Sequence, residues 1–386
     1  MIITKPSAST NAAVIPKPVR SSIIGTEKNT PSPMSSMPLV RLSILLLMTA
    51  LLSACSSVSV TDTKPELTRD IRTDLLGTAI MISVYDDISA KEFDEAFAVV
   101  AAIDAKMSVN KPDSEISTLN NAAGTGRLVS VSDETRSLIQ SATALSAESG
   151  GAFDISVGAV MELWKADGVF CMRPDDGEIE TKRALVGYQN ILFGEDGVGL
   201  GLSGMKLDLG AIAKGYACDQ ALEYLKSQGV QSAMLDFGGN IFAHGTKPDG
   251  TAWNVGVRAP FPGENDLICV VSVQDVSVVT SGGYERYFEE NGTVYHHILD
   301  PKTGYPAQNG LLAVTIVDPS STRADALSTA CFVLGLADGY RLLETQEGSE
   351  GIFVSADNTI VMTPGLVGRV ILQDERFTII DNYQVQ

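Results

Sequence analysis

The stretch from Ser232 to Val317 is dominated by short strand-like runs, and this limits the possible folds more than any other feature. The runs fall at Ser232–Phe237, 254–258, 268–273, 276–280, 294–299 and 311–317, with turn residues such as Gly238-Gly239-Asn240 between them. Helical spacing lies on both sides. Phe93, Phe97, Val100 and Ile103 share a face within 90–106, and Leu138, Ala142 and Leu145 share one within Asp133–Ser149. Ile212, Tyr216, Leu222 and Leu225 do so within 211–228, and Arg323–Gly335 is a fourth helix. Gly150-Gly151 and Gly229 stop two of them. Strands at Thr78–Tyr85, near 351–354 and near 359–363 complete the set. No regular βαβ alternation and no internal repeat is visible. The class predicted is α+β, a mostly antiparallel sheet with packed helices.

The N-terminus reads differently. Residues 1–36 are rich in Ser, Pro, Thr and Asn and lack apolar periodicity, the mark of a disordered or misplaced leader; a start at Met34 or Met37 fits better. Residues 37–54 read as a signal peptide, with Arg41 before the apolar run Leu42–Leu52, which is short for a bilayer span. The run ends in Leu52-Ser53-Ala54-Cys55, similar to a bacterial lipobox, in which Cys55 would be lipidated. An uncleaved anchor helix is the alternative. Residues 55–73 then form a lipidated linker and 74–386 the folded domain.

Charge narrows the partners. There are 47 acidic and 28 basic side chains, and residues 1–55 hold five of the basic and one of the acidic ones. So acidic a body argues against nucleic acid as the main partner and against electrostatic adhesion to anionic lipid. A membrane link would be the lipid alone. Cys171, Cys218, Cys269 and Cys331 are widely spaced with no CxxC, so a zinc or iron–sulfur centre is not expected.

Some motifs fail on context. Gly199-Leu-Gly201-Leu-Ser-Gly204 matches the dinucleotide fingerprint, but a strand-like segment, Met205–Leu209, follows where a helix is required; a β-hairpin turn is expected instead. No P-loop, GxSxG or HExxH is present, and the only histidines are His244, His296 and His297.

Three blocks carry chemistry. In Arg323-Ala-Asp325-Ala-Leu-Ser328-Thr329, helical spacing puts one carboxylate and two hydroxyls on one face, a set suited to a hard cation; helix capping is the alternative. In Asp208-Leu-Gly210-Ala211-Ile-Ala-Lys214, a strand enters a glycine turn and a helix leaves it, which suits an anion; an ordinary connection with a surface lysine is the alternative. In His297-Ile-Leu299-Asp300-Pro-Lys-Thr-Gly304, a histidine near a carboxylate suits a general base; a packed histidine before a turn is the alternative.

In order along the chain, these blocks and five others resemble the FAD:protein FMN transferases of the ApbE family. The others are Leu76-Gly-Thr78, Met107-Ser-Val-Asn110 with Pro112–Ile116, Phe153–Gly158, Asp236–Asn240 and Ser281-Gly-Gly283. The resemblance spans roughly residues 75–365. It implies an ApbE-like flavin transferase fold and an enzyme that splits FAD and places FMN on a Thr or Ser of an acceptor redox protein, releasing AMP. It implies Mg²⁺ on Asp325 and Thr329, with Ser328 assisting and Ala211 giving its carbonyl. It implies FAD contacts from Leu76, Asn110, Ala152, Phe153, Asp154, Asp208, Lys214 and Leu299. His297 becomes the candidate base, with Asp300 orienting it or shaping the turn. The family's usual place is extracytoplasmic, in agreement with Cys55. Two departures stand out: Leu76 where many members carry Met, and Asn110 where many carry Tyr. The second opens a hydrolytic alternative, an FAD pyrophosphatase. A non-catalytic flavin-binding lipoprotein is a third reading, which would not require the Asp325–Thr329 group.

Overall fold

The computed structural model describes residues 66–166, 168–261, 266–380 and 383–385. The leader, the signal segment and Cys55 lie outside the described residues.

Nine strands form the main sheet, and they lie side by side in the order in which the chain makes them. They are β1 (Thr68–Leu75), β2 (Thr78–Val84), β3 (Ala233–Phe237), β4 (Asn240–His244), β5 (Val276–Gly282), β6 (Leu311–Asp318), β7 (Glu350–Ser355), β8 (Thr359–Met362) and β9 (Thr378–Ile380). All neighbours are antiparallel except β8 and β9. The mixed, mostly antiparallel class expected from the sequence is the one observed.

Both faces of the sheet are covered. Ile80, Ile82, Leu235, Phe237, Val279 and Ile316 face a large core with the helices. Val278, Ala313, Val317, Ile352 and Ile360 face a smaller core. A three-stranded sheet of Trp253–Arg258, Leu267–Val273 and Val370–Leu372 closes that second side. Double coverage explains why 311–317 reads as an almost unbroken apolar run and not as an alternating one.

Four long helices pack on the first face: α1 (Ala90–Met107), α2 (Asp133–Glu148), α3 (Ala213–Ser227) and α4 (Ser321–Glu344). α4 extends past the stop expected at Gly335. That residue takes φ 81°, breaking the helix without ending it. The Asn309 amide fills the break, donating to the carbonyls of Phe332 (2.7 Å) and Val333 (3.1 Å). The chain then turns helical again because Tyr340, Leu342 and Leu343 are buried against the core.

Three further expectations shift. β1 occupies the end of the stretch read as linker; as an edge strand it alternates weakly and exposes most of its residues. Gly199 sits inside the returning strand of a hairpin, Ile191–Gly194 with Gly197–Leu200, so it is not the turn. No helix follows directly, as the rejected dinucleotide motif would have required. The expected strand 294–299 ends at His296 and pairs with Tyr287–Glu290 in a separate ribbon.

α3 and α4 cross closely. A Cβ on Gly215 would lie 2.2 Å from the Ser321 carbonyl oxygen, so only glycine fits. Just beyond, Asp219 of α3 serves the start of α4. Its carboxylate accepts the N–H of Ser321 (2.8 Å) and of Thr322 (2.9 Å), and the hydroxyls of Ser320 (2.9 Å) and Thr322 (2.6 Å). Asp219→Ala strands these donors at once, more than a single lost cap. The expected loss is about 2 kcal/mol or more of unfolding free energy in urea titration.

Candidate active site

The site is built at one end of the main sheet, where β2 begins, β3 turns into β4 and β5 ends. Leu76 and Gly77 make the two-residue turn into β2, with Leu76 at φ 52°. A left-handed leucine costs about 1–2 kcal/mol, a local strain the surrounding packing must hold. Gly238 and Gly239 turn β3 into β4 with φ 65° and 95°. A Cβ on Gly238 would lie 2.1 Å from the Thr78 hydroxyl, so the two turns touch.

α4 brings Asp325 over this end. Ser320 and Asp219 already serve the helix start, and Asp325 lies more than a turn inside, so the capping alternative for Asp325, Ser328 and Thr329 falls away. Asp325 is 3% exposed. Its carboxylate accepts the Gly215 N–H at 3.0 Å and lies 3.2 and 3.4 Å from the Lys214 ammonium. Lys214 also donates to the Gly210 carbonyl at 3.1 Å. Ser328 donates to the Asp325 carbonyl (2.8 Å), and the Ser281 hydroxyl at the end of β5 lies 2.8 Å from Ser328 and 3.4 Å from Thr329.

Ala211 is left with a free acceptor. The Gly215 N–H, which helical position would aim at the Ala211 carbonyl, goes to Asp325. Among the described residues that carbonyl takes no hydrogen bond. No three His, Cys, Asp or Glu side chains cluster among the described residues. A cation here would therefore rest on one carboxylate and several neutral oxygens: Asp325, Thr329, Ser328 or Ser281, and the Ala211 carbonyl. That set fits a hard cation with room for phosphate oxygens.

His297 lies close enough to Lys214 for the ammonium to act on its ring. Its backbone N–H donates to the Arg286 carbonyl (3.0 Å), and its ring Nδ1 is 3.2 Å from the same oxygen. A carbonyl only accepts, so Nδ1 carries the proton and Nε2 is bare. Desolvation pushes the ring pKa down to about 3, and the charges of Arg286 and Lys214 push the same way. The ring keeps partial solvent access although protein surrounds it, as in a cleft.

Asp300 does not orient it. The Asp300 carboxylate accepts the Lys302 N–H (2.8 Å), and its carbonyl accepts the N–H of Thr303 (3.2 Å) and Gly304 (2.8 Å). It shapes the turn, and the Arg286 carbonyl does the orienting. A cavity of about 480 Å³ beside this turn is lined by Arg173, Tyr295, Asp300 and Tyr305. Lys214, Asp325 and His297 are not among its lining residues, and their arrangement marks the chemistry better than the cavity does.

Other expected residues divide. Asp208 sits at the entrance to α3, accepting the Gly210 N–H at 2.8 Å, with Lys165 3.6 Å from its second oxygen. Asn110 is exposed in the loop after α1. Ala152 and Phe153 are buried, and Leu299 packs in a small core with Val160 and Trp164, so none offers its side chain to the cleft. Asp154 is buried and fully engaged. It accepts from the Ser156 N–H (2.8 Å), the Ser156 hydroxyl (2.7 Å) and the Tyr188 N–H (2.9 Å). Burial nevertheless raises its pKa.

Glu285 escaped the sequence reading. Its carboxyl feels Lys214, Arg286, Arg258 and Asp325, and desolvation raises its pKa against the three cations. It stands two residues after Ser281-Gly-Gly283, so nearness to a recognised motif was the available signal. The Gly215 N–H and the Arg286 carbonyl belong to the backbone and leave no signal.

A buried carboxylate with hydroxyl neighbours, a lysine at a helix start and a neutral histidine near that lysine form a charged, polar site of the kind enzymes use. The chain belongs to the ApbE family, whose profile matches residues 76–353. A relative from Treponema pallidum, an FAD:protein FMN transferase, is 37% identical over 79% of this chain and 89% of its own length. One of the same name from Klebsiella pneumoniae is 35% identical over 80% and 95%. Among solved structures, the ApbE protein of Thermotoga maritima superposes with a TM-score of 0.72 at 32% identity, covering 79% of this chain and 99% of that one. The apo flavinyl transferase ApbE of Pseudomonas stutzeri does so with 0.67 at 32%, covering 78% and 95%.

Proposed function

We propose that the protein is a Mg²⁺-dependent FAD:protein FMN transferase that joins FMN to a Thr or Ser hydroxyl of an acceptor redox protein and releases AMP. The observation that carries this reading is the Asp325 carboxylate, buried inside α4, held by α3 and free of any capping duty. Bound through Asp325, Thr329, Ser328 and the Ala211 carbonyl, Mg²⁺ supplies neutralisation of the charge that builds on the phosphate oxygens.

The chain's own groups do the rest. Lys214 turns from Asp325 to a phosphate oxygen, and the N-terminal end of α3 favours the same anion. His297 Nε2 takes the proton of the acceptor hydroxyl as its oxygen attacks the FMN-side phosphorus. The bond from that phosphorus to the bridging oxygen breaks and AMP departs. Placement and electrostatics supply most of the acceleration. We place the enzyme on the extracytoplasmic face of a bacterial membrane, held by a lipid on Cys55, where its acceptors are membrane-bound or extracytoplasmic.

The test is intact mass. The chain from Ser56 onward is mixed with FAD, Mg²⁺ and an acceptor domain carrying the Thr motif. The acceptor should gain one FMN, and EDTA should abolish the gain. An unmodified acceptor with free FMN and AMP would replace this reading with the pyrophosphatase.

Asn110 supports that second reading as a side activity. Its side chain is exposed and makes no hydrogen bond among the described residues, so water has access beside it. Asn110→Tyr restores an aromatic wall. It is expected to raise the ratio of transfer to hydrolysis several-fold, read as FMN-acceptor against free FMN; an unchanged ratio would remove Asn110 from the account.

A further inference from the structure

Asn240 opens β4 and is 2% exposed, yet its Nδ2 has no hydrogen-bond partner. Among the described residues only one other buried side-chain nitrogen or oxygen is left so, Nδ1 of His296. A buried donor without an acceptor calls for a reason, commonly a partner that arrives later.

The sheet register locates this amide. Ser277 on β5 bonds Ser321 at the start of α4 (3.0 Å), and Ser281 on β5 pairs with Ser328 one helical stretch later (2.8 Å). Asp325 lies midway on the helix and Val279 midway on the strand. Asn240 is the direct partner of Val279 on β4. Opposed residues share a face, so its side chain points to the helices from the strand nearer α3. β4 touches both α3 and α4, the helices that carry Gly215 and Asp325.

Asp325 has two donors in this arrangement, the Gly215 N–H and the Lys214 ammonium, both from α3. A cation on the Asp325 carboxylate repels the Lys214 ammonium by like charge, and the proposed chemistry then passes that lysine to a phosphate. The carboxylate has then lost a restraint. The geometry points to Asn240 as the positioning residue for Asp325: its buried amide donates to the carboxylate, directly or through one water, once Lys214 has turned away, and so fixes the oxygen presented to the cation. This rests on Asp325 being the cation ligand.

The test uses Mn²⁺ alone, titrated into the full chain and followed by the electron paramagnetic resonance of free Mn²⁺, together with thermal melting without metal. Asn240→Leu keeps side-chain volume while removing the amide, and Asn240→Ala serves as a second variant. Wild type should bind Mn²⁺ and Asp325→Ala should not. Both Asn240 variants should bind about tenfold more weakly or worse. Asn240→Leu should melt within about 2 °C of wild type or above it, because the amide it removes makes no bond. Unchanged Mn²⁺ affinity in both variants overturns the inference, as does a large drop in melting temperature for Asn240→Leu without metal. Mn²⁺ binding that survives Asp325→Ala overturns the cation reading itself.

Discussion

Asp325→Ala is expected to lower the rate of FMN transfer by about 10³-fold or more while the domain stays folded. Charge stabilisation by a bound cation and preorganised donors supplies several kcal/mol of barrier lowering, and about 4 kcal/mol corresponds to that factor. Stability should move much less. The substitution removes an ion pair with Lys214 and one acceptor of the Gly215 N–H, but Lys214 keeps the Gly210 carbonyl and has partial access to water. Asp325→Asn is the cleaner companion, since its carbonyl oxygen can still take the Gly215 N–H. Circular dichroism melts and single-turnover transfer assays on both variants separate the two effects. Transfer within tenfold of wild type in either would end the assignment of Asp325 to the chemistry.

His297→Ala is expected to cost about 10² to 10⁴ in transfer, the usual weight of a positioned general base. Its pH behaviour gives a second readout. The ring's folded pKa of about 3 lies below the ordinary histidine value near 6.5, so between these values the unfolded chain binds a proton that the folded one refuses. The sign follows: this residue leaves stability untouched above pH 6.5 and lowers it progressively as pH falls toward 3. His297→Ala should therefore flatten the acid limb, with its denaturant midpoint falling less than wild type between pH 7 and pH 4.5. An identical fall would place the ring in ordinary contact with water. For the same reason, transfer by wild type should show no histidine-like inflection near pH 6.5.

The helices were legible because each buries one stripe: the Phe93, Phe97, Val100 and Ile103 face of α1 lies against the core as its spacing predicts. The site blocks were legible because short polar motifs sat at the ends of apolar runs. What stayed hidden depends on partners distant in sequence. Gly335 looks like a stop until Asn309 is seen filling the break. Asp325 looks like a cap until Asp219 is seen doing that work. Asp154 looks like a ligand-binding carboxylate until its three internal donors are counted. β1, polar and at the edge, has too weak an alternation to announce itself.

The sheet runs in chain order, but it does not close in chain order. β3 to β8 pair across connections of moderate length, whereas β2 must find β3 across residues 85–232, which carry the whole of α1, α2 and α3. Closing so long a loop delays that pairing relative to the others. The touching Thr78–Gly238 contact depends on that long closure, whereas the turn bearing Leu76 is local to the β1–β2 hairpin. The Asp325–Lys214 crossing is long-range too, spanning 111 residues, so competence for the large substrate waits on two distant closures rather than on any local element.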